Sequence, residues 1–319
     1  MVTEIFCSTV IRGATDKDIT GFFYHILWPE KRILSKIPVP AVTKGFGARG
    51  GSRGGRGLLW RDGFLFACAC DKIIVYDERF RIAELFNHPH IIGHHDLAAD
   101  DEGLWCNSTL IDALFKLDWN GNIVDEWYAS EDREFLQLFE GDDKPAYEVP
   151  RPRRKDYVSD VDREGLDVYD EQFHFNTLHV SNGAVYTFGS AKYALVQVRP
   201  QPTLVQRNPR WKWAHNVTPL NDAVIVNNSV HKCFERYRPG VDHPEICTKL
   251  DETDGTATQF ATSGWVRGLA RADERHVFVG SSPSTIFLVD MITGAVVDRM
   301  LLADNIVDAV HAIAVKTPR

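Results

Sequence analysis

The sequence predicts an all-β fold: a six-bladed β-propeller whose ring is closed by strands from both ends of the chain. Three observations carry this. Short β-type runs recur along the chain with turn signals between them, as at 64–68, 114–118 and 184–188. Helical periodicity is hard to find except near residues 130–138. One short motif returns six times.

The motif is a large polar residue, a small or short residue and then an aliphatic one. It reads Arg56-Gly57-Leu58, His95-Asp96-Leu97, Asn176-Thr177-Leu178, His215-Asn216-Val217, Arg267-Gly268-Leu269 and His311-Ala312-Ile313. Most copies are followed by a polar turn and a second apolar run, such as Val224–Ser229 after His215. A third run ends in Asp at Asp77, Asp118 and Asp290, a turn follows, and a fourth run completes the unit. Four antiparallel strands per unit is a propeller blade.

The spacings fit one blade per motif. Arg56 to His95 and Asn176 to His215 are each 39 residues, Arg267 to His311 is 44 and His215 to Arg267 is 52. The 81 residues from His95 to Asn176 have room for a seventh blade but lack a clear strand series. The last motif supplies one inner strand, 311–315, while the N-terminus offers three strands without an inner one, at 4–11, 21–28 and 32–39. Joined, they make a sixth blade and leave no long sheet edge open. The expectation is a single domain over residues 1–319.

The polar residue of each motif falls at the start of the strand nearest the axis, on the channel rim. Long connections near 40–55, 130–173 and 237–264 all run from an outer strand to the next inner one, which puts them on that same face. The rim set is therefore Arg56, His95, Asn176, His215, Arg267 and His311, with His94, His174 and His179 close in sequence. Packing between blades explains the aliphatic third residues; it does not explain three His and two Arg. The pattern leaves open whether the first or second residue of each triplet faces the axis, so Asp96, Thr177 and Asn216 are second candidates. Trp213 and Trp265 each precede a rim residue by two and can wall the mouth.

Three chemistries are open. His95, His215 and His311 can converge on one divalent metal ion, with Asp96 joining or orienting the site. The same histidines and Asp96 can transfer protons without metal. Or the site only binds, with Arg56 and Arg267 pairing a carboxylate, sulfate or phosphate, and Asn176, His174, Trp213 and Trp265 completing the substrate contacts. Against all three stands a channel merely filled by residues that hydrogen-bond loops and water.

Composition narrows the partners. Hydrophobic residues make up 44% and charged residues 25% of 319, ordinary globular usage that excludes a disordered or collagen-like chain. The net charge of -8 argues against a general nucleic-acid binder. No apolar run is long enough to span a membrane. The start of the sequence lacks a secretory pattern and the six cysteines read as core thiols, including the Cys68–Cys70 pair, so a cytoplasmic location is expected. The Gly- and Arg-rich run 44–56 has no P-loop ending. The basic run 151–155 lies in a connection that can contact a protein partner.

These repeats resemble six-bladed propellers of the broad grouping that includes NHL repeats, strictosidine synthase-like proteins and gluconolactonase-like enzymes. More narrowly, His95-Asp96-Leu97-Ala98, His174-Phe175-Asn176-Thr177-Leu178 and His215-Asn216-Val217-Thr218-Pro219 are similar to His-Asp and His-x-Asn-Gly segments of an uncharacterised bacterial propeller family. Thr177 stands where that family tends to have Gly. The gluconolactonase group would imply a metal held by Glu, Asn and Asp; no rim Glu matches, so lactonase activity is not carried over. The expected function is an enzyme acting on a small anionic molecule by hydrolysis, elimination or isomerisation, with or without a metal. The rival is a non-catalytic ligand-binding or protein-interaction propeller.

Overall fold

In a computed structural model, described over residues 3–14, 18–40, 54–69, 72–88, 90–142, 171–220, 222–250 and 263–316, six four-stranded antiparallel sheets form a ring. Blade 1 holds β1 (Glu4–Ile11), β2 (Phe22–Leu27) and β3 (Arg32–Pro38). Blade 2 is β4 (Leu58–Arg61), β5 (Phe64–Cys68), β6 (Ile73–Asp77) and β7 (Ile82–Phe86). Blade 3 is β8 (Leu97–Ala99), β9 (Leu104–Ser108), β10 (Ala113–Leu117) and β11 (Ile123–Tyr128). After it comes the short helix α1 (Arg133–Gln137), capped by Asp132. Blade 4 is β12 (Phe175–Ser181), β13 (Ala184–Gly189), β14 (Ala194–Arg199) and β15 (Thr203–Arg207). Blade 5 is β16 (His215–Pro219), β17 (Val224–Asn228), β18 (Cys233–Tyr237) and β19 (Ile246–Lys249). Blade 6 is β20 (Arg267–Arg271), β21 (His276–Ser281), β22 (Thr285–Asp290) and β23 (Val296–Leu301).

The last strand, β24 (Asp308–Val315), pairs antiparallel with β1 and becomes the inner strand of blade 1. The inner strands β24, β4, β8, β12, β16 and β20 touch in cyclic order. The ring thus has no inner edge, as the strand count at the two ends requires.

The aliphatic third residue of each triplet does what its spacing suggests. Leu58, Leu97, Leu178, Val217, Leu269 and Ile313 fall in six separate apolar clusters, one between each pair of neighbouring blades. The Asp residues that end the third strands build the outer hairpins. Asp77 Oδ1 accepts the N–H groups of Arg79 and Arg81, both at 2.9 Å. Asp118 Oδ1 likewise accepts those of Asn120 and Asn122 at 2.9 and 2.8 Å, and Asp290 Oδ1 that of Ile292 at 2.8 Å. Each is an Asx-type turn, local enough to be read from sequence. In two of these turns a glycine takes the left-handed position, Gly121 at φ 85° and Gly294 at φ 75°. Phe80 takes it in blade 2 at φ 56°, where its ring packs edge-on against Phe6 and Tyr76.

The inner strands are irregular at the triplets. Pairing slips between Phe175 and Leu178, between His215 and Thr218, and between Arg267 and Leu269. Asn216 and Gly268 lie in the left-handed region at φ 50° and 75°. Such bulges re-aim side chains at a sheet's end. They put the first and second triplet residues to different uses.

Most of the three long connections, at 41–53, 143–170 and 251–262, lie outside the described residues, as do the basic run 151–155 and Cys70. Cys7, Cys68, Cys106 and Cys233 are buried free thiols, and Cys247 is an exposed one. Among the described residues no helix is long and apolar enough to cross a membrane.

Candidate functional site

The first triplet residues meet at the mouth. The His95 ring lies 6.4 Å from that of His215 and 5.7 Å from that of His311. His95, His215 and His311 are all buried, as is Arg56. In blade 4 the mouth position is taken by His174, two residues before the triplet, whose ring is 5.1 Å from His95. Asp112 aims His174: its carboxylate accepts the backbone N–H groups of Gln172, Phe173 and His174. Glu171 Oε2 sits 2.9 Å from His174 Nδ1, and Trp213 stands edge-on to the ring at 5.7 Å.

Asn176 is committed elsewhere. Its Nδ2 donates to the Ala214 carbonyl at 2.8 Å and its Oδ1 accepts from Thr177. It therefore steadies the approach to His215 in the next blade.

The second triplet residues are latches between blades. Asp96 Oδ2 accepts the Leu178 N–H of blade 4 at 3.0 Å, Thr177 Oγ1 that of Val217 in blade 5 at 3.3 Å, and Asn216 Oδ1 that of Gly268 in blade 6 at 2.9 Å. Among the described residues Asp96 makes no contact with an imidazole; its other oxygen accepts the Leu97 N–H. The expectation that Asp96 orients or joins the histidines thus meets a carboxylate already spent on backbone. Beyond this layer the channel opens into a cavity of about 430 Å³ lined by Asp96, Asn216, Leu178, His179, Leu269 and Arg271.

Two hydroxyls, not singled out in the sequence, set the imidazoles. His95 Nδ1 lies 3.0 Å from the Gly93 carbonyl and 2.9 Å from Thr109 Oγ1. A carbonyl only accepts, so the Gly93 carbonyl favours a proton on Nδ1, although Arg56 Nη1 also lies 3.0 Å from that nitrogen. Thr109 Oγ1 donates to the Phe175 carbonyl at 2.6 Å. The same arrangement recurs at His215: Ser229 Oγ donates to Val266 O at 2.8 Å and stands 3.1 Å from His215 Nδ1. Each hydroxyl follows its histidine by 14 residues, at the end of the second strand.

Arg56 Nη1 stands 2.9 Å from His95 Nε2 and 3.0 Å from Nδ1, and donates to the His94 carbonyl at 3.0 Å. Among the described residues, His215 Nε2 and both ring nitrogens of His311 are buried without a hydrogen-bond partner.

Arginines surround this cluster. Arg267 lies over Trp265 at 4.7 Å from the ring centroid, and Arg12 stacks on the same indole at 3.2 Å. Arg12 follows β1, outside the repeated motif, and was not legible as a rim residue. Among the described residues no carboxylate pairs with Arg12 or Arg267. Burial and the neighbouring guanidiniums push Arg12 down to about 9 and Arg267 well below the usual arginine range. Burial first, then Arg56, drives His95 well below the ordinary imidazole value; burial and Arg267 do the same to His215 and His311. At neutral pH the imidazoles are neutral and the guanidiniums carry the charge.

This donor set does not fit a divalent metal held by His95, His215 and His311. Arg56 covers the His95 lone pair, and three guanidiniums repel a cation. Among the described residues, the one group of three His, Cys or carboxylate side chains with donor atoms all within 4.8 Å is Cys233, Glu235 and Cys247, in the outer half of blade 5. There Glu235 is already satisfied by Arg210 at 2.8 Å, Asn228 at 2.9 Å and Tyr237 at 2.7 Å.

No protein-family model matches the chain, and no curated protein matches it in sequence. Solved structures do share its shape. A Bacteroides caccae protein of unknown function is 10% identical with a TM-score of 0.60, over 100% of both chains. A chain of the nidogen/laminin complex is 6% identical at 0.60, over 99% of this chain and 98% of that one. A catalytically inactive virginiamycin B lyase from Staphylococcus aureus, solved with quinupristin, is 10% identical at 0.45, over 80% and 73%. At these identities the likeness is one of fold: the chain is a six-bladed β-propeller, the architecture of the grouping its repeats resemble.

Proposed function

We propose that the protein is an enzyme that binds a small anionic molecule at the basic mouth and moves protons on it with His215 and His311, without a metal. One observation carries the reading: among the described residues, buried imidazoles with unshared ring nitrogens stand beside Arg12 and Arg267, which have no carboxylate partner there. An uncompensated buried cation is costly, and a bound anion is its natural complement.

The same geometry couples binding to activation. In the free protein burial first, and then the guanidiniums led by Arg267, hold the imidazoles neutral and weakly basic. An anion seated between the guanidiniums and the imidazoles supplies the opposite charge, which raises the affinity of His215 and His311 for a proton. Ser229 holds the His215 Nδ1–H, so Nε2 is the basic atom. A proton drawn from carbon next to a carboxylate leaves charge on that carboxylate, where arginine stabilises it. Return of the proton elsewhere is isomerisation; loss of a neighbouring group is elimination.

The test is solvent exchange. Protein in deuterated buffer is incubated with a panel of small carboxylates and phosphate esters and followed by proton NMR. Deuterium entering a bound ligand next to its carboxylate, lost in His215→Ala and His311→Ala while binding persists, supports the enzyme. Ligands that bind with no exchange at any position reduce the mouth to a receptor.

A further inference from the structure

We infer that the ligand of this mouth carries a doubly charged oxyanion group, a phosphate monoester or a pair of adjacent carboxylates, and that Arg12 is one of its binding residues. The inference rests on the anion reading above and sharpens it. Three guanidiniums from three places in the fold act on one another: Arg12 after β1, Arg56 before β4 and Arg267 at the start of β20. Arg12 and Arg267 share the Trp265 indole, which fixes both planar groups near one point of the rim. The Nε of each is buried and makes no hydrogen bond among the described residues.

The charge count selects the ligand class. Among the described residues Arg12 and Arg267 have no carboxylate partner, so one singly charged anion would match one of these two cations and leave the other facing it. The imidazoles do not add to the surplus, because burial and the neighbouring guanidiniums keep them neutral. A dianionic group offers several acceptor oxygens in the planar, forked geometry that guanidinium prefers. Trp265 adds a flat apolar wall, so the remainder of the ligand has a surface to lie on.

The experiment is calorimetric titration of the full chain at constant ionic strength with four probes: acetate, malonate, inorganic phosphate and phenyl phosphate. Malonate and the phosphates are expected to bind at least about 10-fold tighter than acetate, the worth of one added charge-assisted hydrogen bond. In Arg12→Gln and Arg267→Gln the preference should shrink toward the acetate level, while Arg61→Gln, on the far end of β4, should leave it unchanged. Phosphate binding at pH 8 should exceed that at pH 5.5, where the ion is singly charged.

Acetate binding as tightly as malonate and phosphate overturns the dianion inference and leaves the anion site standing. Failure of all four probes to bind overturns both. The wild-type series decides the class by itself, so a poorly folding variant does not blunt the test. Malonate and phosphate then separate the two forms of the same group.

Discussion

Replacing Asp96 with Asn should flatten the dependence of stability on pH. Asp96 latches blade 3 to blade 4 through the Leu178 N–H, and burial raises its carboxyl to about 7. The unfolded chain binds that proton with an ordinary carboxylate pKa near 3.9. Between those two values the folded state holds more protons than the unfolded state, so stability falls as pH rises. Below about 4 both states are protonated and the penalty is absent; above about 7 it is complete. A difference of about 3 pKa units corresponds to roughly 4 kcal/mol, an upper bound because Asp96 faces the channel cavity and keeps some solvent. Asn keeps one acceptor for the Leu178 N–H but turns its Nδ2 toward the Leu97 N–H, a cost that is the same at every pH and so drops out of the comparison between pH values. Urea unfolding of both proteins at pH 5 and pH 8 measures the effect. The variant should gain on the wild type by about 1–3 kcal/mol between pH 5 and pH 8. An equal stability difference at the two pH values would refute a buried, proton-binding Asp96.

Other outcomes follow from single contacts. Ser229→Ala strands the Val266 carbonyl and the His215 Nδ1–H together and should lower stability by about 1–3 kcal/mol in a denaturant melt; Ser229→Thr should restore it. Glu235→Ala leaves Arg210 facing a buried gap and should cost about 3–5 kcal/mol by the same measurement, with anion binding unaffected in whatever fraction folds. Elemental analysis of protein purified without a histidine tag, after incubation with zinc, manganese, iron or copper, should find no near-stoichiometric metal that His95→Ala/His215→Ala removes. Stoichiometric metal lost in that double variant would restore the three-histidine metal centre.

The repeat was legible because its signals are local. Asp77, Asp118 and Asp290 each bind N–H groups within four residues, so the outer turns are written in consecutive positions. Leu58, Leu97 and Leu178 reveal themselves because every blade interface needs an apolar residue at the same offset. The convergence of Arg56, His95, His215, His311 and Arg267 followed from the same register. The division of labour within each triplet did not. A strand alternates sides every two residues, but the slips at Phe175/Leu178, His215/Thr218 and Arg267/Leu269 break that alternation where it mattered. Asn176 therefore looked like a mouth residue when His174 holds that place. Arg12 was hidden for another reason: the repeat marks the start of each inner strand, which in blade 1 is His311 on β24, whereas Arg12 follows β1, the second strand of that blade. A signal for Thr109 and Ser229 did exist, a hydroxyl 14 residues beyond each of His95 and His215.

The mouth and the blades pull stability in opposite directions. Six apolar interfaces hold the ring, whereas Arg12, Arg56 and Arg267 crowd positive charge at its centre. Sites built for charged ligands are commonly destabilising until filled, so removing one cation should stabilise the empty protein. Arg267→Gln keeps part of the stem over Trp265 and relieves both burial of the charge and its repulsion by Arg12 and Arg56. Gaining about 1 kcal/mol would raise the melting temperature of a domain this size by about 1–2 °C. The order should reverse with ligand. At a phosphate concentration 100 times its Kd, the wild type gains about 2.7 kcal/mol and a variant that no longer binds gains nothing. Thermal melts of the two proteins with and without phosphate should therefore cross. If Arg267→Gln melts below the wild type in phosphate-free buffer, the guanidinium is a structural tie, and the argument that the mouth waits for an anion fails with it.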